Sequence, residues 1–319
     1  MLNDSASSHP DLFWAIRGGG ANYGIVTRWE YEAAPYPELV SYGSLEWGPS
    51  AKNLTRLLQA FNRWQPWLLP EDVARVHIAM FWDEVMLEVY CWCPEQQMQQ
   101  LLATFPYAQA GLPAPNLIVL RSWNYSAYML SSSVTNCYGA AQWGWENISS
   151  TAAVTQAEHA WREAHTQGSW RFHGGSAVFM GAISDDQLAN FSTIAMDRIS
   201  NPKSFTRAVM VAAGGVQRRM ASNATGFGYR MMTQQLEIGT QARDAKDAAW
   251  VDAVLEALMP SSKGQRFCNH HENDFQCLGE EQKPWKSYFG YNAALLLVIK
   301  AQYDPQQRIN GMSCAALNR

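Results

Sequence analysis

One short run, Met231 to Ile238, sets a carboxylate and amides among apolar residues. Its two-residue alternation predicts a strand with Thr233, Gln235 and Glu237 on one face. A carboxylate in the middle of an apolar and amide strand is costly to desolvate, and burial raises its pKa toward the range where a base works near neutral pH. Glu237 is therefore a candidate general base, with Gln235 as an amide that orients whatever lies against it. The same run also reads as a solvent-facing edge, because a one-residue slip of register exchanges the two faces.

A second unusual stretch is His9 to Thr27, HPDLFWAIRGGGANYGIVT. Gly18, Gly19 and Gly20 are consecutive, and Gly24 precedes an Ile-Val-Thr run of β character. Glycine inside a regular element costs about 0.5–1 kcal/mol relative to alanine. The cluster therefore implies close approach of backbone to something bulky, positive φ, or a plain glycine-rich turn between two buried strands. No Lys followed by Ser or Thr completes a Walker loop. The spacing G-x-G-x-x-x-G, followed by a β-type run, excludes the dinucleotide fingerprint as well.

Other chemistries fall away on spacing. His270, His271, Glu272 and Asp274 are close in sequence, but adjacent histidines on a strand point to opposite faces and no H-E-x-x-H is present. No metal site is assigned. His159 and His165 lie in a polar, helix-like stretch and read as surface residues. Without a G-x-S-x-G there is no nucleophile elbow, so a hydrolase is not expected.

The run Pro10 to Thr27 resembles, almost residue for residue, the segment N-P-D-L-F-W-A-L-R-G-G-G-G-N-F-G-V-V-T of the berberine bridge enzyme-like FAD-linked oxidases, PCMH-type flavoproteins of the vanillyl-alcohol oxidase kind. Gly214-Gly215 through Phe227 to Arg230 is similar to the family's G-G…F-P-H-R segment, with Gly228 and Tyr229 in place of Pro and His. The tail Tyr288-Phe289-Gly290-x-Asn292, Ile299-Lys300 and Tyr303-Asp304-Pro305 looks like the berberine-type C-terminus. Leu295, Gln307 and Ile309 depart from that tail's Arg, Asn and Phe.

The resemblance implies FAD as cofactor, with Gly18, Gly19, Gly20, Asn22, Gly24 and Ile25 against it, and Asn269 near the flavin. It also implies hydride transfer from an alcohol, sugar or alkaloid-like substrate, with Glu237 as base, Gln235 beside it and O2 as acceptor. The family's upstream FAD-binding subdomain, with its covalently linked His, has no counterpart segment here. A flavin-free remnant or secreted ligand-binding protein is the alternative expectation.

These residues need a scaffold, and the sequence outlines one. Leu54, Leu57, Leu58, Phe61 and Trp64 form a helical stripe ended by Pro66, and Met98, Leu101, Leu102 and Phe105 form another. Strands are expected at Leu39 to Trp47, Ala74 to Trp82, Val85 to Cys93, Asn116 to Trp123, Arg171 to Ile183 and Phe205 to Ala213. Ser184-Asp185-Asp186-Gln187 is a capping box opening a helix along Leu188, Phe191, Ile194 and Ala195. Asn124 to Gly144 reads as loops, whose Tyr125, Tyr128, Tyr138, Trp143 and Trp145 are suited to stacking on a ligand.

The expectation is an α+β fold: a partial PCMH-type FAD-binding domain with an inserted substrate domain, a mostly antiparallel sheet covered by helices. The domains are 1–35, 36–260 for substrate, and 261–319 returning to the FAD domain.

At 319 residues, 47% hydrophobic and 16% charged, the chain has ample material for a large core. A net charge of −4 without a basic tract argues against nucleic acid or anionic membrane as partners, which leaves a small-molecule substrate. Six sequons, at Asn3, Asn53, Asn124, Asn147, Asn190 and Asn223, point to a secretory history. MLNDSASSHPDLF lacks the basic and apolar regions of a signal peptide, so that signal is expected upstream. Cys91 and Cys93 read as buried thiols on one strand face, and Cys268 with Cys277 as a candidate disulfide.

Overall fold

The computed structural model describes residues 5, 7–33, 35–125, 171–201, 206–242, 245–267 and 283–309. Its strands are β1 (Leu39–Trp47), β2 (Val73–Met80), β3 (Val85–Cys91), β4 (Leu117–Asn124), β5 (Arg171–Phe179), β6 (Thr206–Ala212) and β7 (Gln234–Ala242). They form one sheet in the order β4-β1-β3-β2-β6-β7-β5, with every neighbouring pair antiparallel. The helices are α1 (Pro10–Ile16), α2 (Ala51–Trp64), α3 (Glu95–Ala103), α4 (Asp185–Ile199), α5 (Val216–Arg219), α6 (Ala245–Ala257), α7 (Met259–Ser262), α8 (Lys283–Phe289) and α9 (Ala293–Tyr303). This is the expected α+β architecture.

Register decides what each face of the sheet carries. Leu45, Leu87, Ile78, Met210, Leu236 and Ala177 stand opposite one another across six strands. Each is 3% exposed or less, and α2, α3, α4 and α6 cover them. Gly43 lets α3 settle on β1, since a Cβ there would lie 2.5 Å from Leu102 Cδ1. Burying a leucine-sized side chain in such a layer contributes about 1.5–3 kcal/mol.

The helices begin and end where local chemistry says they should. Ser50 caps α2 by accepting from the Asn53 N–H, and Gln65 closes the helix at φ 51 ahead of Pro66. Ser184 accepts from the Gln187 N–H at the start of α4, with Asp185 and Asp186 in the first turn. Both ends of the chain meet in a separate cluster, where Leu12, Ala15 and Tyr23 pack with Phe289, Ala293, Leu296 and Ile299.

Several expectations are corrected. The aromatic run before the glycines is helix α1, entered through Pro10. Gly24 to Thr27 is not in a strand: Ile25 is 83% exposed, and among the described residues no strand pairs with this segment. A strand is held by its neighbours' hydrogen bonds, so β character alone does not make one.

β7 starts at Gln234 rather than Met231, because the Met232 N–H turns back to the Tyr229 carbonyl. Likewise β5 ends at Phe179, ahead of a bend at Met180 and Gly181. Cys91 and Cys93 are buried but joined as a disulfide, because β3 ends at Cys91 and the chain bends to bring the two Cα atoms within 5.2 Å. His159, His165, Asn269, the cluster His270 to Asp274, Cys268 with Cys277, and most of the Asn124 to Gly144 loop region lie outside the described residues.

Candidate functional site

The face of the sheet turned away from the helices is built differently. One residue along from the apolar row, Ser44, Glu88, His77, Val211, Gln235 and Val178 stand opposite one another. His77 Nε2 and Glu88 Oε2 lie 2.6 Å apart, the Tyr42 hydroxyl donates to Glu88 Oε1 at 2.8 Å, and Tyr90 stacks on the imidazole. Burial pushes the Glu88 carboxyl up, but His77 and the Tyr42 hydroxyl outweigh it, and the net shift is downward. The buried Tyr42 phenol beside that carboxylate is displaced upward.

At the β7 end of this face, Gln235 is buried and Glu237 half-buried. The Gln235 amide donates through Nε2 to Glu237 Oε1 at 2.8 Å, and its Oε1 is buried without a partner. Thr233, expected beside them, is used structurally: its hydroxyl donates to the Phe179 and Gly181 carbonyls.

Gln235 lines a cleft of about 690 Å³ between the end of α1, the end of β6 and the loop leading into β7. The glycines divide into two groups here. Gly18 has φ +127, and a Cβ on it would lie 2.5 Å from the Phe227 nitrogen. Gly19 is pressed between the Ala15 carbonyl and Leu296, and the Gly226 N–H donates to the Trp14 carbonyl. These residues bring the 18–20 turn and the 226–228 loop together backbone to backbone.

Gly20, at φ +73, lines the cleft, where an added Cβ would meet only the Asn22 amide nitrogen, and an added Cβ at Gly24 would meet nothing within 4 Å. Asn22 is 2% exposed and braces the turn from beneath, donating to the Gly19 carbonyl at 2.8 Å. Of the residues expected against a flavin, Gly18 and Gly20 line the cleft, Gly19 and Asn22 support it from below, and Gly24 and Ile25 lie outside its lining.

Two cleft residues were not singled out from sequence, Arg17 and Arg230. The signal was present: Arg17 directly precedes the glycines, and Arg230 ends the Phe227–Arg230 run. Arg17 Cζ sits 4.3 Å from the Phe13 ring centroid, and Arg230 Cζ 5.2 Å from that of Phe227. The His77–Glu88–Tyr42 cluster was also missed, because only strand register brings its members together. Among the described residues, no group of three or more His, Cys, Asp or Glu side chains is arranged to hold a metal ion.

The arrangement suits a planar, polar cofactor. The cleft volume lies in the range of ligand sites. Gly20, at φ +73, is part of its wall, and the buried Arg230 Nε and Gln217 Nε2 have no acceptor. The residues of this chain therefore fit FAD at this wall.

No protein-family model matches the chain. It is 26% identical over 319 residues to the uncharacterized FAD-linked oxidoreductase YgaK of Bacillus subtilis, covering 96% of this chain and 59% of that protein. It is 32% identical over 330 residues to the carbohydrate oxidase of Microdochium nivale, covering 97% and 59%. The fold is shared with BBE-like 1 of Physcomitrella patens at a TM-score of 0.74 and 17% identity, over 97% of this chain and 61% of that one. The chain thus spans about three fifths of the length of the relatives it matches. Likeness in sequence and in fold places it in the berberine bridge enzyme-like, PCMH-type family of FAD-linked oxidases.

Proposed function

We propose that this chain is the substrate-bearing portion of a FAD-dependent oxidase acting on a hydroxylated small molecule, with a carbohydrate as the substrate class. The observation that carries the reading is Gln235, whose Nε2 is committed to Glu237 while its buried Oε1 has no partner. A carboxylate only accepts, so the amide nitrogen must face Glu237 and the amide oxygen is left for a hydroxyl donor. Gln235 orients the substrate hydroxyl, and Glu237 takes its proton as the adjacent C–H bond gives up hydride.

Bound FAD supplies the hydride acceptor, with O2 as the terminal acceptor. Gly18 and Gly20 form its wall, braced by Gly19 and Asn22, with Gly24, Ile25 and Asn269 as further contacts. The carbohydrate class is supported by the Microdochium relative's name and by Tyr42, Tyr90, His77 and Glu88, aromatic and hydrogen-bonding side chains of the kind that hold sugars.

In this reading residues 1–35 and 261–319 belong to the FAD-binding domain and 36–260 to the substrate domain. The cluster shared by α1, α8 and α9 supports that division. A secretory route is supported by Asn223, which stands exposed in a turn while the Thr225 of its sequon is buried.

The test is anaerobic reduction of the bound flavin by oligosaccharides, followed by its absorbance. Glu237→Gln is expected to slow reduction by about 10²–10⁴-fold at unchanged flavin content. Protein without flavin, or a variant reduced at the native rate, would overturn the proposal.

A further inference from the structure

Cys91 and Cys93 form a disulfide across a single intervening residue, Trp92. A bridge this short closes almost no loop, so it removes little entropy from the unfolded chain, and stability does not account for it. Its surroundings suit exchange instead. Cys91 ends β3 on the helix-covered face of the sheet, the side opposite Gln235. Cys93 directly precedes Pro94, the residue that caps the nine-residue helix α3. The positive end of a helix dipole favours a thiolate over a thiol, which makes Cys93 the better leaving group of the two.

Beside the bridge is a cleft of about 230 Å³ between the start of β2, the end of β3 and α3. Cys91 lines its inner end, since the residue has no exposed surface of its own. Asp72 lines the same cleft and is tied to both sides of it. The Trp92 N–H donates to its carbonyl at 2.7 Å, and Gln97 Nε2 donates to its Oδ2 at 2.6 Å. The other carboxylate oxygen, Oδ1, is buried without a partner. Buried acceptors are nearly always paired in folded proteins, and a carboxylate oxygen pairs most strongly with a cationic N–H. None of the described residues lining this cleft is basic, so the missing donor belongs to whatever enters.

We propose that Cys91–Cys93 is a site of reversible thiol exchange, and that the cleft admits a small thiol carrying an ammonium group. The ammonium donates to Asp72 Oδ1 and brings the thiolate to Cys91 Sγ. A new S–S bond forms to Cys91 as the Cys91–Cys93 bond breaks. Cys93 leaves with the electron pair and takes up the proton that the incoming thiol gave up. A second such thiol attacks the small thiol's sulfur in the mixed disulfide and frees Cys91. In sum the protein disulfide is reduced to two thiols and two small thiols are oxidised to their disulfide. No flavin takes part, so the proposal stands apart from the oxidase reading.

In the test the whole folded chain is incubated in turn with cysteamine, 2-mercaptoethanol and mercaptoacetate, quenched with N-ethylmaleimide and mapped by peptide mass spectrometry. Rates are compared per thiolate, because the three thiols ionise differently. Cysteamine, or after full exchange maleimide, is expected on Cys91, with maleimide on Cys93. Cysteamine should react at least about tenfold faster than mercaptoacetate, with 2-mercaptoethanol between them. Asp72→Asn keeps an oxygen for the Gln97 amide and should cancel that ranking. Adducts that form only in urea, adducts on Cys93 alone, a ranking that ignores charge, or a ranking unchanged in Asp72→Asn would each overturn the proposal. The map separates the pair from Cys137, Cys268, Cys277 and Cys314. If Asp72→Asn does not fold, adduct position and ranking in the native protein decide the question.

Discussion

The ammonium of Lys300 donates to the carbonyl of Asn22 across 2.6 Å, tying helix α9 to the loop that follows the three glycines. The same ammonium pairs with Asp304 one turn on and meets the Ile309 carbonyl, and both charged side chains are buried. Burial alone would raise the Asp304 carboxyl, but the bonds from Lys300 and the Ile309 and Arg308 N–H groups hold it at about 2.

Lys300→Met is expected to cost about 3–5 kcal/mol, because it strands a buried carboxylate and frees the Asn22 carbonyl. The midpoint of urea unfolding measures this. Asp304 has a depressed pKa, so its contribution is complete above the ordinary value of 3.8 and is lost as pH falls toward about 2. Asp304→Asn should flatten the stability curve over that window, and a variant as acid-sensitive as the native protein would contradict the assignment.

The glycines should separate cleanly by substitution. Gly18→Ala meets positive φ and the Phe227 backbone together, a loss of at least about 1–3 kcal/mol. Gly24→Ala meets nothing within 4 Å and should stay within about 0.5 kcal/mol. Thermal melting of the two variants gives the ranking directly.

Glu84 supplies a pH dependence of the opposite sign. Burial and then Glu46, Asp83 and Glu88 push its carboxyl up to about 8. Stability from this group is full below its unfolded pKa of about 4.5 and declines as pH rises toward about 8. Glu84→Gln should hold its melting temperature across that range while the native protein loses some of its own, and parallel curves would refute the shift.

Glu88→Ala leaves the His77 ring and the Tyr42 hydroxyl facing an empty position, an expected loss of about 3–5 kcal/mol. Glu88→Gln keeps an acceptor and should lose less. Denaturant unfolding of the pair distinguishes a charge requirement from a hydrogen-bond requirement.

Gln235→Leu removes both the bond to Glu237 and the open acceptor. A fall of about 10–100-fold in kcat/KM is expected from the loss of one charge-assisted hydrogen bond. Steady-state kinetics with peroxide detection would show it, and an unchanged kcat/KM would remove Gln235 from the site.

Local patterns were enough for the elements that carry their own signals. Leu39–Trp47 reads as a strand from alternation and is one, and the stripe from Leu54 to Trp64 becomes α2, bounded by Ser50 and Pro66. The glycine-rich run likewise announced its kinship, because a backbone so costly to keep flexible is seldom spelled this way by chance. What lay beyond the sequence was everything set by distance along the chain. Gly24 to Thr27 has the composition of a strand and lacks a described partner, while Gly18 is shaped by Phe227, far ahead in sequence. Arg17 and Arg230 come to line one cleft, Glu88 meets His77, and Lys300 meets Asn22 only after register and packing are complete. Local propensity and capping act within a few residues, so the sequence by itself determined the pieces. The tertiary structure decided which charges, glycines and amides share a surface, because burial and electrostatic coupling exist only between groups that folding has brought into contact.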